Sequence, residues 1–512
     1  MPDRERPTTD ATDRTDAFLV AYAPGGLPSY EAADHAVVER SRRTLEDRVA
    51  ARGGRLIALE APMVDRADAE RAAADLAAQG VDLVVLQSAA FTMGDVVVPF
   101  VEAGLRLCLW APDEPRRRGP IPLNGFVAMH LHAGVLRTAL ADRAGPFGWC
   151  FGDAGNPLFE ERLARVLDAV RIARRLARAR VALVGGVAPT FLNVAADPGA
   201  VARRTGARVV DEDLGPVIES AIAWRDGVPA GGDPERMARA IADVTAAARG
   251  RVELPDADLR ANVAVYLALA DLARTGGYDA LAVRDWPEFQ ARMGLHPGLA
   301  FSWLDEARGV PVAAEGDVGG ALSMLAARAA AWPAPEGAPT PEGARPPGAT
   351  LLDVNDVDLD HDALLTWHCG GGPLDLADAD GVRWTEHTTL SRGGDPRMGA
   401  VADLRFRLGP VTVLRVGRDG AAWLALDADV VDTPHPGFDG SRGWLGRFRG
   451  PDGPLTVGDV VQTLLHEGVE HHLVVVTGHH AASLRGAAVW MGARLVRPRR
   501  YRPEPLPLED AP

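Results

Sequence analysis

Lysine is missing from this chain. All 55 basic residues among the 512 are arginine, and that gap removes whole classes of chemistry. Without a Schiff-base lysine there is no pyridoxal phosphate enzyme and no imine-forming aldolase. A Walker-type phosphate loop needs its lysine too, so no P-loop NTPase is encoded. Acid–base work falls to carboxylates, histidines, tyrosines, a cysteine or a metal-bound water. Cysteine is scarce: Cys108, Cys150 and Cys369 are the three present, and none lies in CxxC spacing. They read as reduced thiols of a cytoplasmic protein rather than a disulfide framework. No apolar run approaches the roughly 18 residues that suggest a membrane span. The polar opening "MPDRERPTTDATDRTDA" lacks the apolar core of a signal peptide. A formal net charge of −15 argues against a broad nucleic-acid surface.

What is present points to an α/β protein. At roughly 100–200 residues per domain the length suits about three domains. The first region alternates apolar runs ("AFLVAY", "RLIALE", "VDLVVLQS", "LRLCLW") with amphipathic stretches such as "YEAADHAVVERSRRTLEDRVAARGG". That rhythm predicts a parallel sheet covered by helices. Ligands of such sheets bind where loops leave the C-terminal strand ends, so Leu86–Asp95 is a candidate rim. A second α/β succession follows, with Gly185-Gly186 after the strand "RVALVGG", although the GxGxxG spacing of a dinucleotide loop is absent. Trp332 to Thr350 is dense in Pro, Gly and Ala and reads as a linker or lid. Beyond it, short strand-like runs separated by Gly, Pro and Asp suggest an antiparallel barrel or sandwich. The expected fold is therefore two Rossmann-like parallel-sheet α/β domains, residues 1–143 and 144–347, then a β-rich, barrel-like domain at 348–512. The first ~15 residues are expected to be disordered.

Four places set polar groups against apolar strand ends. In "PVAAEGDVGGALSMLAARAAAW", Glu315 or Asp317 can cap the helix that begins near Val318. In "ATLLDVNDVDLDHD", Asp353 ends an apolar run and is followed by Asn355, Asp356 and Asp358. That is either a solvated turn or a calcium loop, and the EF-hand spacing is missing. In "LLTWHCGGGP", His368 ends a strand beside Cys369. In "EHHLVVVTGHH", four of the thirteen histidines bracket a buried-strand run. Alternation along a strand lets only one of His471 and His472 face a given site. His479 and His480 are either trim or ligands. HExxH and paired CxxC signatures are absent, so no spacing specifies zinc. Two carboxylates plus imidazole suit Mn²⁺ or a similar octahedral ion with open positions for substrate oxygens.

The stretches "YDALAVRDWPEF", "AAEGDVGGALSM", "ATLLDVNDVD", "WHCGGGP" and "GVEHHLVVVTG", in that order, resemble the L-fucose isomerase / L-arabinose isomerase family, and its fucose-isomerase-like branch in particular. The resemblance implies two α/β domains and a β-rich C-terminal domain. It also implies assembly into a homo-oligomer, a trimer or hexamer, and interconversion of an aldose and its ketose using Mn²⁺ or another divalent cation. It places Glu315 and Asp353 as metal ligands and catalytic groups, His472 as the metal-binding histidine and His368 as a further histidine at the metal. His471, Asn355 and Trp367 fall where sugar contacts are expected. Asn124, His130 and His132 are either helix trim or the lining of a neighbouring subunit's sugar site.

The chemistry suits these groups. Moving a carbonyl from C1 to C2 through a cis-enediol removes one proton and delivers another, work for carboxylates beside a divalent ion. The sugar stays open: L-fucose, an arabinose, another deoxyhexose or a hexose carrying an anionic group. A non-catalytic sugar-binding protein, or a metal-dependent epimerase or lyase, would use the same scaffold.

Overall fold

The computed structural model describes residues 17–227, 233–332, 346–369, 371–387 and 399–503. The first sheet holds β1 (Leu19–Gly25), β2 (Arg55–Ala58), β3 (Leu83–Ser88), β4 (Leu107–Ala111) and β5 (Gly148–Phe151), in the order β2-β1-β3-β4-β5. Every pairing is parallel. The run "LVVLQS" is buried along its whole length because helices pack on both faces of such a sheet. The sheet reaches past the expected boundary at residue 143, since "GWCF" pairs with β4. Four residues with glycine at their head carry too little pattern to reveal a strand. The amphipathic stretch after Tyr30 becomes helical only at Val37–Ala50, after Ala36 turns left-handed at φ 47°.

A long helix, Pro157–Arg178, leads into the second sheet. Its apolar stripe runs through Phe159, Leu163, Leu167 and Val170, at the three-to-four spacing that one helix face requires. The second sheet is β6 (Arg180–Val184), β7 (Arg208–Glu212), β8 (Ala280–Val283) and β9 (Val312–Ala313), ordered β7-β6-β8-β9 and again parallel. The Pro-rich stretch read as a linker falls mainly outside the described residues.

The third domain is built around a closed barrel. Its strands are β10 (Ala349–Asp358), β11 (Ala363–His368), β12 (Arg383–Glu386), β13 (Ala400–Arg405), β14 (Gly409–Val416), β15 (Ala422–Val430), β16 (Ser441–Gly450), β17 (Gly453–Pro454), β18 (Leu473–Thr477) and β19 (Arg494–Leu495). The path β16-β11-β10-β18-β14-β15 returns to β16, because β15 and β16 also pair, and all of these pairings are antiparallel. Closure removes the exposed edges that an open sheet would leave. Residues Leu473–Val476 of β18 are buried, flanked on both sides by β10 and β14. One hydrophobic core runs from the second sheet through the helix Val318–Ala331 into the barrel. No helix among the described residues is long and apolar enough to cross a membrane.

Candidate metal and sugar site

The site begins where β9 ends. After Ala313 the chain makes a short turn, Ala314–Gly316, and enters the helix Val318–Ala331. Glu315 stands in that turn at φ 61°, a left-handed conformation that is costly for a side-chain-bearing residue and collects at functional sites. Two partners hold it there: its N–H donates to Asp285 Oδ1 at 2.7 Å, and its carbonyl accepts from Ala188 N–H at 2.9 Å. The next residue must be glycine. A Cβ on Gly316, itself at φ +74°, would lie 2.3 Å from the carbonyl oxygen of Gly186. Gly186 and Val187 thus form a wall for the Glu315 turn.

Asp317 is the cap of the helix, its Oδ1 accepting from Gly320 N–H at 2.9 Å. It does more than cap. Its carboxylate is fully buried and takes two donors from buried Arg415, at 2.5 and 3.0 Å. Burial alone would raise its pKa, yet Arg415 and His472 hold it well below the usual carboxylate range. Arg415 in turn reaches Glu470 at 3.2 Å, tying β14 to the segment before β18.

Asp317 also decides the state of His472. The ring is completely buried, and its Nδ1 lies 2.9 Å from Asp317 Oδ2. That oxygen can only accept, so Nδ1 carries the hydrogen and Nε2 is left with its lone pair. Nε2 faces Glu315 Oε2 at 3.4 Å and Asp353 Oδ1 at 3.8 Å. Asp353 comes from the adjacent strand: the register Leu352↔Leu473 places it beside His472. Both His472 Nε2 and Asp353 Oδ1 are buried without a hydrogen-bond partner. Two orphaned acceptors facing each other repel, unless a cation lies between them. Ligands of one octahedral ion at ~2.1 Å stand about 3 Å apart, and carboxylates with imidazole are donors for a divalent ion. The donors fit a divalent ion held by Glu315, Asp353 and His472, with Asp317 supplying the carboxylate behind the histidine that such sites use.

The neighbouring imidazole is in the opposite state. His471 Nδ1 accepts from Asn193 Nδ2 at 2.9 Å, so its hydrogen sits on Nε2 and points at Glu315 Oε2, 3.2 Å away. Phe191 packs beside the ring at a centroid distance of 5.7 Å. Burial opposes charge on His471, but the hydrogen bond to Glu315 and the nearby carboxylates raise its pKa. His471 is therefore a donor to the Glu315 carboxylate. We expect His472→Gln to lose divalent-ion binding, while His471→Gln keeps it within about tenfold and loses mainly kcat. Calorimetric Mn²⁺ titration of the two variants checks this, and equal losses of affinity in both would contradict the tautomer assignment.

His368, at the end of β11, is buried with its ring 5.7 Å from that of His472. Its Nδ1 lies 3.5 Å from Cys369 Sγ. Burial would raise the Cys369 thiol, but His296 and His368 hold it well below the usual thiol value. Trp367 pairs with Asp353 across the ladder and donates its indole N–H to Asp439 O at 2.7 Å. Asn355 is exposed beside the bulge between Val354 and Asp356 and is not among the side chains that meet at the cluster.

The remaining candidates lie elsewhere. Asp358, at the end of β10 beyond its pairing with β18, binds His361 Nδ1 at 2.7 Å and lies 3.7 Å from the exposed His435. His479 binds Ala428 O and Asp429, and His480 binds Thr477 O. Both trim the exit of β18. In the first domain, Asn124 starts a helix, His130 is exposed on it, and buried His132 contacts Met93 O at 3.0 Å. The rim Leu86–Asp95 contributes Gln87 to a buried network with Tyr22 and Ser41. Sequence reasoning missed Asp285, Asn193 and Arg415. Asp285 precedes Trp286-Pro287 in a stretch already singled out; Asn193 and Arg415 carried no local signal.

No family model matches the chain. The sulfoquinovose isomerase of Alkalicoccus urumqiensis is 28% identical over 406 residues, which cover 77% of this chain and 81% of that protein. The sulfoquinovose isomerase of Priestia aryabhattai is 24% identical over 403 residues, 78% of this chain and 81% of its own. Among solved structures, an ABC transporter solute-binding protein from Agrobacterium vitis, bound with alpha-D-tagatopyranose, is 15% identical. It covers 57% of this chain and 90% of that chain at a TM-score of 0.16, too low to bear on the fold.

Proposed function

We propose that this chain is an aldose–ketose isomerase whose substrate is a hexose bearing an anionic group, as sulfoquinovose does, and whose divalent cation is Mn²⁺ or a similar ion. The observation that carries the reading is the pair of orphaned buried acceptors, His472 Nε2 and Asp353 Oδ1, converging on Glu315 in a chain similar to sulfoquinovose isomerases. Glu315, Asp353 and His472 would hold the ion, with His368 as a further ligand. When bound, the ion supplies charge stabilisation at two adjacent sugar oxygens.

The chain's own groups do the proton work. Glu315 takes the proton from C2 of the open-chain aldose to give the enediol(ate), and its return to C1, with the O2 hydroxyl proton passing to O1, completes the ketose. The His471 N–H at 3.2 Å holds the receiving oxygen in place and is itself held by Asn193. Asp353 shares both duties, ligation and proton transfer. With lysine absent, recognition of the anionic group falls to arginine or to backbone and side-chain N–H groups. The chain is read as part of a trimer or hexamer. An apolar face on the first domain, with exposed Met93, Ile121, Phe126, Val127 and Leu131, supports that reading.

The test is a panel of aldoses, sulfoquinovose included, incubated with metal-stripped protein with and without Mn²⁺ and assayed for ketose. Mn²⁺-dependent ketose from an anionic hexose is the expected result. Stoichiometric Mn²⁺ binding with no ketose from any sugar would turn the reading toward another reaction. Absence of metal binding would defeat the site itself.

A further inference from the structure

Cys369 has no part in the proton transfers above, yet it lies where the site's histidines are set. Its Sγ is 3.3 Å from His296 Nε2 and 3.5 Å from His368 Nδ1. The donor atoms of His296, Cys369 and His387 lie within 4.8 Å of one another, which invites a second metal. The tautomer of His296 speaks against that. Gly298 N–H donates to its Nδ1 at 3.2 Å, so the ring hydrogen is on Nε2, and that hydrogen lies between Cys369 Sγ and Asp285 Oδ2, each 3.3 Å away. A nitrogen that carries a hydrogen offers no lone pair to a metal.

The same fact assigns a role to the sulfur. With the His296 N–H turned toward it, Sγ is an acceptor, and its other neighbour is His368 Nδ1. We propose that Cys369 is a positioning residue of the divalent-ion site: its sulfur accepts the Nδ1–H of His368 and so leaves Nε2 of that ring with its lone pair for the ion. This rests on the reading of His368 as a further ligand. Neutral imidazole has one ring hydrogen, and an acceptor behind one nitrogen frees the other. Asp317 does this for His472, and Cys369 does it for His368. The two halves are joined through Asp285, which shares the His296 hydrogen with one oxygen and receives Glu315 N–H on the other.

The experiment titrates Mn²⁺ into metal-stripped wild type, Cys369→Ala, Cys369→Ser and His368→Gln by calorimetry, with melting curves of the metal-free proteins. Cys369→Ala should bind Mn²⁺ about 10–100-fold more weakly with a metal-free melting curve near wild type. Cys369→Ser, whose oxygen still accepts, should recover part of the affinity. In the His368→Gln background the Cys369→Ala change should cost no further affinity, a non-additivity that a general packing role would not produce. Wild-type affinity in Cys369→Ala, or full additivity with His368→Gln, overturns the proposal. So does a second equivalent of Co²⁺ in the wild type with a sulfur-to-metal charge-transfer band lost in Cys369→Ala, because the thiol would then be a ligand. If Cys369→Ala does not fold, Cys369→Ser against wild type carries the comparison. A wild type that binds no Mn²⁺ defeats the site reading first and this proposal with it, a result distinct from all the others.

Discussion

Glu315→Gln should abolish turnover while leaving the fold intact. The amide keeps the shape of the side chain and the backbone contacts of the turn, since the Asp285 and Ala188 bonds are made by the main chain. It loses the two things the site needs from the carboxylate: negative charge toward the ion and a base for the C2 proton. Loss of general base catalysis alone is worth about 10²–10⁴-fold, and weaker ion binding adds to it. The His471 N–H, 3.2 Å from Oε2, would face an amide whose oxygen accepts less strongly than a carboxylate. Ketose formation at saturating Mn²⁺, alongside melting curves, measures this. Retention of a tenth or more of wild-type kcat would remove Glu315 from the proton transfer.

Asp317→Ala should cost stability and the metal together. Arg415 is 1% exposed and Asp317 is 0% exposed, so removing the carboxylate strands a buried guanidinium with only Glu470 at 3.2 Å. Breaking such a pair costs about 3–5 kcal/mol. The helix Val318–Ala331 also loses its cap at Gly320. The second consequence is chemical: His472 loses the acceptor that keeps hydrogen on Nδ1, and divalent-ion affinity should fall about 10–100-fold. Adding Arg415→Met to the Asp317→Ala variant separates the two effects. Stability should largely return, since a buried pair is replaceable by apolar side chains, whereas ion affinity should stay low. Recovery of affinity in the double variant would break the link between Asp317 and His472.

The stability loss in Asp317→Ala has a defined pH range. The folded-state pKa of Asp317 lies below its ordinary value, so its contribution is fully present above the unfolded value near about 4. It fades only as pH falls further, toward the folded value. Denaturant unfolding from pH 7 down to about 4.5 should therefore show a constant difference between wild type and variant, and a difference that shrinks already between pH 6 and 5 would assign the effect to another group.

Much of this architecture follows from local pattern. Apolar runs of strand length between amphipathic stretches gave the two parallel sheets, and the change of texture after the Pro-rich stretch gave the barrel. Periodicity reports which residues must be buried, and burial is most of what a strand or helix needs to know. The four polar stretches bordering apolar runs were visible for the same reason, and three of them carry Glu315, Asp353 and His472, although β10 continues through Asp353 to Asp358 rather than ending there. The Gly185-Gly186 pair was visible as well, but its use was not: Gly186 closely approaches Gly316, 130 residues further along the chain.

The sequence by itself determined what chemistry was available. Without lysine, acid–base work was left to carboxylate, imidazole, phenol, thiol or a metal-bound water, and the carboxylates and histidines beside apolar runs marked where to look. Strand alternation predicts that only one of His471 and His472 faces a given site, but both lie before β18, which begins at Leu473, and both rings reach Glu315 Oε2, at 3.2 and 3.4 Å. Which of them turns a lone pair toward the site, only the tertiary structure decided. The two residues are adjacent and chemically identical, and a histidine's lone pair lies opposite whatever its hydrogen meets. Those partners, Asp317 for His472 and Asn193 for His471, lie 155 and 278 residues away. No local pattern encodes a tautomer, because it is set by contacts that exist only once the sheet and the barrel have come together.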